Sequence, residues 1–158
     1  MTSAEYLSEI LSKAGITLSV AESCTGGMLG SIITSFPGSS VYFLGGVVSY
    51  SNSAKENILG VSKEVMMEKG AVSREVAVEM AEGVRRLFGS DVSLSITGIA
   101  GPGGGTAEKP VGLVWMGISW KGGTAAMRFD FTGDRDAVRK NSTDAAVRVI
   151  ADLVETLI

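Results

Sequence analysis

The stretch Ile16–Ile33, ITLSVAESCTGGMLGSII, decides how this chain folds. Its opening, Ile16 to Ala21, is short, β-branched and half apolar, the composition of a strand. Glu22-Ser23-Cys24-Thr25-Gly26-Gly27 breaks that pattern. Met28 to Ile33 then reads as a short helix, closed by Ser35-Phe36-Pro37-Gly38. A strand that feeds a helix through a glycine turn is the unit from which layered α/β domains are built.

Working outward, the alternation continues. Ser3 to Ala14 has apolar residues at helical spacing (Tyr6, Leu7, Ile10, Leu11), with Gly15 as its cap. Gly46 to Tyr50 predicts a second strand, and Ser53 to Leu59 a helical turn or two ending at Gly60. Ser62 can cap a helix to Lys69. Ser73 can cap a longer one to Phe88, with Val76, Val78, Met80, Ala81 and Val84 on its buried face. Val92 to Thr97, VSLSIT, alternates as a third strand. Val111 to Trp120 and Thr124 to Phe131 are two more, joined as a hairpin by Lys121-Gly122-Gly123. Asp134 to Leu157 closes the chain as a helix, with Ala137, Val138, Ala145, Val149, Ile150, Leu153 and Leu157 facing inward. The expected architecture is a single-domain α/β/α sandwich of three layers around a mixed, five-stranded sheet.

Composition narrows the chemistry. The chain has 158 residues, 45% hydrophobic and 20% charged, enough for one domain with a sizeable core. A net charge of −3 argues against a nucleic-acid surface, which needs a basic face. No apolar run reaches the ~20 residues of a membrane span, and the acidic, amphipathic N-terminus resembles no signal peptide, so a cytoplasmic location is the default. A single cysteine, Cys24, rules out an intrachain disulfide. There is no histidine at all. A Ser-His-Asp triad and a Cys-His pair are therefore excluded, and a zinc site would need carboxylates alone.

Hydroxyls, a phenol and an amine are what remains for acyl transfer, and they crowd one segment. GSSVYFLGGVVSYSNSAK, Gly38 to Lys55, holds Ser39, Ser40, Tyr50, Ser51, Asn52 and Lys55. A lysine can activate a serine if burial lowers its pKa from ~10.4 toward neutrality. Against this, any single serine here is more readily a helix cap. Ser-x-x-Lys spacing is absent, so any pairing must be tertiary.

Three further segments suit a ligand. ESCTGG (Glu22–Gly27) sits at a strand-to-helix junction, where backbone amides and a helix N-terminus favour an anion. Glu22 could hydrogen-bond a ribose or orient a lysine; the plainer reading is a tight turn capped by Thr25. The loop from Thr97 to Pro110 has five glycines and two prolines, including Gly98 and Gly101, and can wrap a ligand closely. At the start of the last helix, Arg135 or Arg139 could hold phosphate as a planar fork, against the plainer reading of Asp134 as a cap with solvated charges around it. Cys24, with no base beside it, is more often a small buried residue than a nucleophile.

Taken in order, AESCTGG (Ala21–Gly27), the Gly38–Lys55 segment, GAVS (Gly70–Ser73), SITGIAGPGGGTAEKPVG (Ser95–Gly112) and GDRDAVR (Gly133–Arg139) resemble the C-terminal domain of the competence/damage-inducible protein CinA. The likeness runs from about Thr17 to the end. It points to the stand-alone form of that domain, without the N-terminal pyrophosphatase-type domain. Stand-alone members are nicotinamide-nucleotide amidases. The resemblance therefore implies hydrolysis of nicotinamide mononucleotide to nicotinate mononucleotide and ammonia, in pyridine-nucleotide salvage, with no metal and no cofactor. It places the family's nucleophilic serine on Ser40 rather than Ser39, its lysine on Lys55 and its tyrosine on Tyr50. Glu22, Ser23, Thr25, Gly26, Gly27, Ser39, Ser51, Asn52, Thr97, Gly98, Gly101, Arg135 and Arg139 fall around the nucleotide. The competing expectation is a non-catalytic nucleotide-binding or regulatory domain using the same pocket. The expected partner is a small nucleotide, with no nucleic acid and no membrane. Apolar residues in 41–48 and 113–118 point to a homo-oligomer.

Overall fold

A computed structural model covers residues 1–158. Its elements run α1 (Ser3–Ala14), β1 (Leu18–Glu22), α2 (Met28–Ile33), a 3-10 turn (Ser39–Val41), β2 (Phe43–Val48), α3 (Asn52–Leu59), α4 (Lys63–Lys69), α5 (Arg74–Phe88), β3 (Val92–Gly98), β4 (Leu113–Trp120), β5 (Gly123–Asp130) and α6 (Arg135–Leu157). The five strands form one mixed sheet in the order β2-β1-β3-β4-β5. β1 runs parallel to both β2 and β3, and β4 and β5 are antiparallel additions. Three layers result, as expected.

The caps predicted from sequence hold the helices. Ser62, Ser73 and Asp134 each accept a hydrogen bond from the backbone of their own first turn. Gly15 closes α1 in the left-handed conformation that glycine adopts without penalty. Several strand limits differ from expectation by one to three residues. The second strand begins at Phe43 and ends at Val48, so Ser49 and Tyr50 fall beyond it. Gly123 pairs with Trp120, which leaves Lys121-Gly122 as a two-residue turn.

The faces of the sheet are chemically unlike. On one side α1, α2 and α6 cover an aliphatic core that includes Leu11, Leu18, Val20, Leu94, Ile96, Met116 and Ile150. On the other, α5 lies on serines. Ser93 Oγ donates to Ala81 O and Ser95 Oγ to Ala77 O, both at 2.6 Å. The polar half of VSLSIT is thus buried, not solvated, because a central strand is covered on both faces. The fit is close: a Cβ on Gly117 would stand 2.3 Å from Ala77 O, and one on Gly83 1.9 Å from Leu59 O.

The inner face of α6 is broader than expected, with Val149 and Leu153 packed partly buried against the core as expected. Val138, Ala145 and Ile150 are buried, joined by Ser142, Thr143, Ala146, Val147, Ala151 and Val154, while Leu157 is exposed. Of the two segments expected at a subunit contact, Leu113, Val114, Met116 and Ile118 are core, while Val41, Leu44 and Val48 are exposed at the β2 edge. No helix is long and apolar enough to cross a membrane.

Candidate active site

The parallel register puts the ends of β1 and β2 side by side, Glu22 against Val48. The chain leaving β1 begins with Ser23. The chain leaving β2 turns through Ser49–Ser51 into α3, whose first turn carries Lys55. The Lys55 side chain is only 1% exposed, and its Nζ lies 2.8 Å from Ser23 Oγ, 2.6 Å from Ser49 O and 3.2 Å from Tyr50 O. No carboxylate pairs with it; the two ion pairs of the chain, Lys13–Glu9 and Arg128–Asp130, are at the surface. Burial pulls the Lys55 amine down to about 8, against a smaller opposing pull from Cys24.

The loop that presents Ser23 is held from three directions. The Ser23 amide donates to Ile96 O at 3.0 Å, and its carbonyl accepts from Gly26 N at 3.1 Å. Buried Glu22 accepts from Thr25 Oγ1 at 2.6 Å and from the amides of Gly27, Leu29 and Gly30 at 3.2, 2.9 and 3.0 Å. Its side-chain oxygens occupy the start of α2, so neither Glu22 nor that helix end is available to substrate. Thr25 is spent on Glu22 and is not the cap of α2; that position is Gly27. Gly26 and Gly27 have φ of 57° and 109°, the backbone the turn demands. From α6, Arg139 Nε donates to Cys24 O at 3.0 Å and Nη2 to Thr25 O at 3.3 Å. That guanidinium backs the loop; it is not a wall of the cavity.

The cavity in front of Ser23 has a volume of about 280 Å³. Cys24, Tyr50, Asn52, Lys55, Thr97, Gly98, Gly101 and Arg135 line it with Ser23, so part of the expected ligand set converges, while Glu22, Thr25, Gly26, Gly27, Ser39, Ser51 and Arg139 do not line it. Arg135 spans the mouth: Nη1 donates to Gly101 O at 2.8 Å and Nη2 to the Tyr50 hydroxyl at 3.1 Å. Thr97 Oγ1 donates to Ala71 O at 2.8 Å and faces inward as part of the wall. Ala71 and Val72 also line it; the GAVS motif contains them but carries no sequence mark of a site residue. Their carrier loop touches the site only through tertiary packing. Burial drives the Cys24 thiol up to about 11, despite nearby Lys55 and Arg139, so it stays protonated and is a poor nucleophile. A larger cleft of about 650 Å³ beside Arg85, Arg86 and Trp120 holds no buried amine. No three His, Cys, Asp or Glu side chains lie together as a metal site.

Ser39 and Ser40 are not in the cavity. They form the turn before β2, Ser40 exposed, while Lys55 follows β2. The six residues of that strand separate the two ends by about 20 Å. Ser51 is also elsewhere employed, accepting from Ala54 N as the cap of α3.

Fold and site together define a class: a three-layer α/β domain with a buried lysine–serine pair beyond the carboxyl ends of two parallel strands. The family described as the CinA C-terminal domain matches residues 1–154. A CinA-like protein of Geotalea uraniireducens (strain Rf4) is 55% identical over 133 residues, covering 84% of this chain and 32% of the relative. One of Thermotoga sp. (strain RQ2) is 49% identical over 143 residues, covering 90% and 35%. The chain spans about a third of the length of these curated relatives. Among solved structures, a competence/damage-inducible protein of Agrobacterium tumefaciens superposes with a TM-score of 0.93 at 36% identity, over 96% of this chain and 93% of that one. A CinA superfamily protein of Klebsiella pneumoniae gives 0.93 at 32% identity, over 99% of each. The chain belongs to the CinA C-terminal domain family.

Proposed function

We propose that the domain is an amidohydrolase that converts nicotinamide mononucleotide to nicotinate mononucleotide and ammonia, with Ser23 as nucleophile and Lys55 as its base. One observation carries this reading: the three partners of the Lys55 amine. Two are carbonyls, Ser49 O and Tyr50 O, which only accept. A neutral amine has two N–H bonds and one lone pair. With both N–H bonds on the carbonyls, the lone pair is left for the third partner, the Ser23 hydroxyl 2.8 Å away. Deprotonation of Lys55 thereby turns it into a general base aimed at Ser23.

In the reaction, Lys55 takes the Ser23 proton as Oγ bonds to the carboxamide carbon. The resulting ammonium returns that proton to the departing nitrogen, and ammonia leaves. Water, deprotonated by Lys55, then attacks the Ser23 ester. Its cleavage releases the carboxylate product and restores the serine. No histidine is required.

A cavity of about 280 Å³ is at the low end for small-molecule sites and suits a pyridine ring with its carboxamide. Of the two candidate arginines, Arg135 is the one at the mouth. It offers phosphate a planar fork in exchange for its present contacts with Gly101 O and Tyr50. A nucleotide sensor would have the glycine-rich wall and Arg135 but no use for an uncompensated buried amine. Incubating the protein with nicotinamide mononucleotide and assaying ammonia tests the reading: wild type releases it and Ser23→Ala does not. Product formation by Ser23→Ala at the wild-type rate, or none by wild type, overturns it; the second result leaves a binding domain.

A further inference from the structure

Glu22 is tied to both halves of the lysine–serine pair. Its main-chain carbonyl accepts from Ser49 N at 2.8 Å. Ser49 O accepts from the Lys55 amine, and that amine also meets the hydroxyl of Ser23, the residue after Glu22. These bonds close a ring from Glu22 through Ser49, Lys55 and Ser23, and back along one peptide bond. The Glu22 side chain makes the second attachment. Gly27, the cap of α2, has no side chain to offer. The amides of Leu29 and Gly30 go to the Glu22 carboxyl group instead, together with Gly27 N and the Thr25 hydroxyl. Four donors thus converge on a residue only 2% exposed, and neither Glu22 nor Thr25 lines the cavity.

We propose that Glu22 is a positioning residue for catalysis: it holds the Ser23 hydroxyl in line with the Lys55 amine, its carbonyl bracing the segment that carries the base and its carboxyl group the turn that carries the nucleophile. The inference rests on the amidase reading above. Ser23 lies at the start of a turn that bends through two residues of positive φ, Gly26 and Gly27, and the Glu22 side chain is the acceptor that closes it. Buried donors left without that acceptor are costly, so the turn would re-form around other partners. Proton transfer needs its two atoms within hydrogen-bond reach, and Ser23 Oγ and Lys55 Nζ are at 2.8 Å. A misplacement of about 1 Å in such a pair can cost about 10²-fold in rate.

Two variants and two rates test it. Glu22→Gln keeps the shape but turns an NH2 group toward donors; Thr25→Val removes one of the four donors. Glu22→Gln is expected to lower kcat about 10- to 100-fold, with KM within about threefold of wild type. Thr25→Val should lower kcat about 3- to 10-fold, again with little change in KM. The second rate is labelling of Ser23 by a small fluorophosphonate, in which Oγ bonds to phosphorus, fluoride leaves and Lys55 takes the proton. It involves no nucleotide and should slow by the same factors. A purely structural role would lower Tm and leave both rates per folded molecule unchanged. Wild-type rates in folded Glu22→Gln overturn the proposal, as does a raised KM with kcat kept; if that variant does not fold, wild-type rates in Thr25→Val overturn it. Wild-type protein that is labelled at Ser23 but releases no ammonia removes the substrate assignment alone, and the labelling rates then decide the role of Glu22. Wild-type protein neither labelled nor active overturns the amidase reading and this inference with it.

Discussion

The two ends of β2 carry the same kinds of residue and could hardly differ more in circumstance. Before the strand stand Ser39 and Ser40, on a short turn open to water. After it stand Ser49, Tyr50 and Lys55, drawn against the end of β1 where Ser23 emerges. A hydroxyl in water has an ordinary, weakly acidic proton and no base. A hydroxyl 2.8 Å from a buried amine, whose other hydrogen bonds go to carbonyls, has its base in place. On the proposed mechanism, reactivity follows from which end of the strand a residue occupies.

The sharpest way to break that comparison is to remove either half of the pair. Ser23→Ala and Lys55→Met should each lower kcat by about 10³-fold or more, and the double variant should fall little further, since groups that act as a unit are not additive. Full additivity, measured as ammonia release, would separate the two residues. The pH profile comes next. The folded Lys55 amine lies at about 8, below the ordinary lysine value, and the neutral form is the proposed base. Activity should therefore rise through about pH 8 to a plateau and fall tenfold per unit below it; a flat profile from 5 to 9, with chemistry rate-limiting, removes Lys55 as the base.

Tyr50→Phe should cost about tenfold, since the hydroxyl lost is a single neutral partner of Arg135 at the mouth. Cys24→Ala should leave kcat within about threefold of wild type, because the thiol stays protonated up to about 11. Ser40→Ala, at the other end of β2, should change nothing beyond experimental error. Loss of turnover in that variant, with the fold intact by circular dichroism, would transfer the nucleophile back to the exposed turn.

Much of the architecture is legible from local pattern. Ser62, Ser73, Asp134 and Gly15 mark helix ends because caps act within a few residues. The alternation of strand and helix fixes the layers. Gathering Tyr50, Asn52, Lys55, Thr97, Gly101 and Arg135 into one cavity is consistent with their positions at strand ends. The partner of Lys55 is not legible, because closeness along the chain is no guide to closeness across parallel strands. Ser40 is fifteen residues from Lys55 and Ser23 thirty-two, yet register brings the more distant serine to the amine. Glu22 misleads for a related reason: its carboxylate resembles a ligand for substrate until the four donors around it are seen to come from its own loop and helix. The serines of VSLSIT carry the same lesson, since a two-residue period separates faces without saying what covers them.

Those serines also tie the interior to the pocket. The row of hydroxyl-to-carbonyl bonds from Ser93 and Ser95 to α5 continues one step further along β3, where Thr97 fastens Ala71 in the cavity wall. Core and pocket therefore hang from consecutive rungs of a single ladder. A bulkier residue at Gly117, by prising α5 off the sheet, would be felt as a deformed substrate site long before the protein lost its shape.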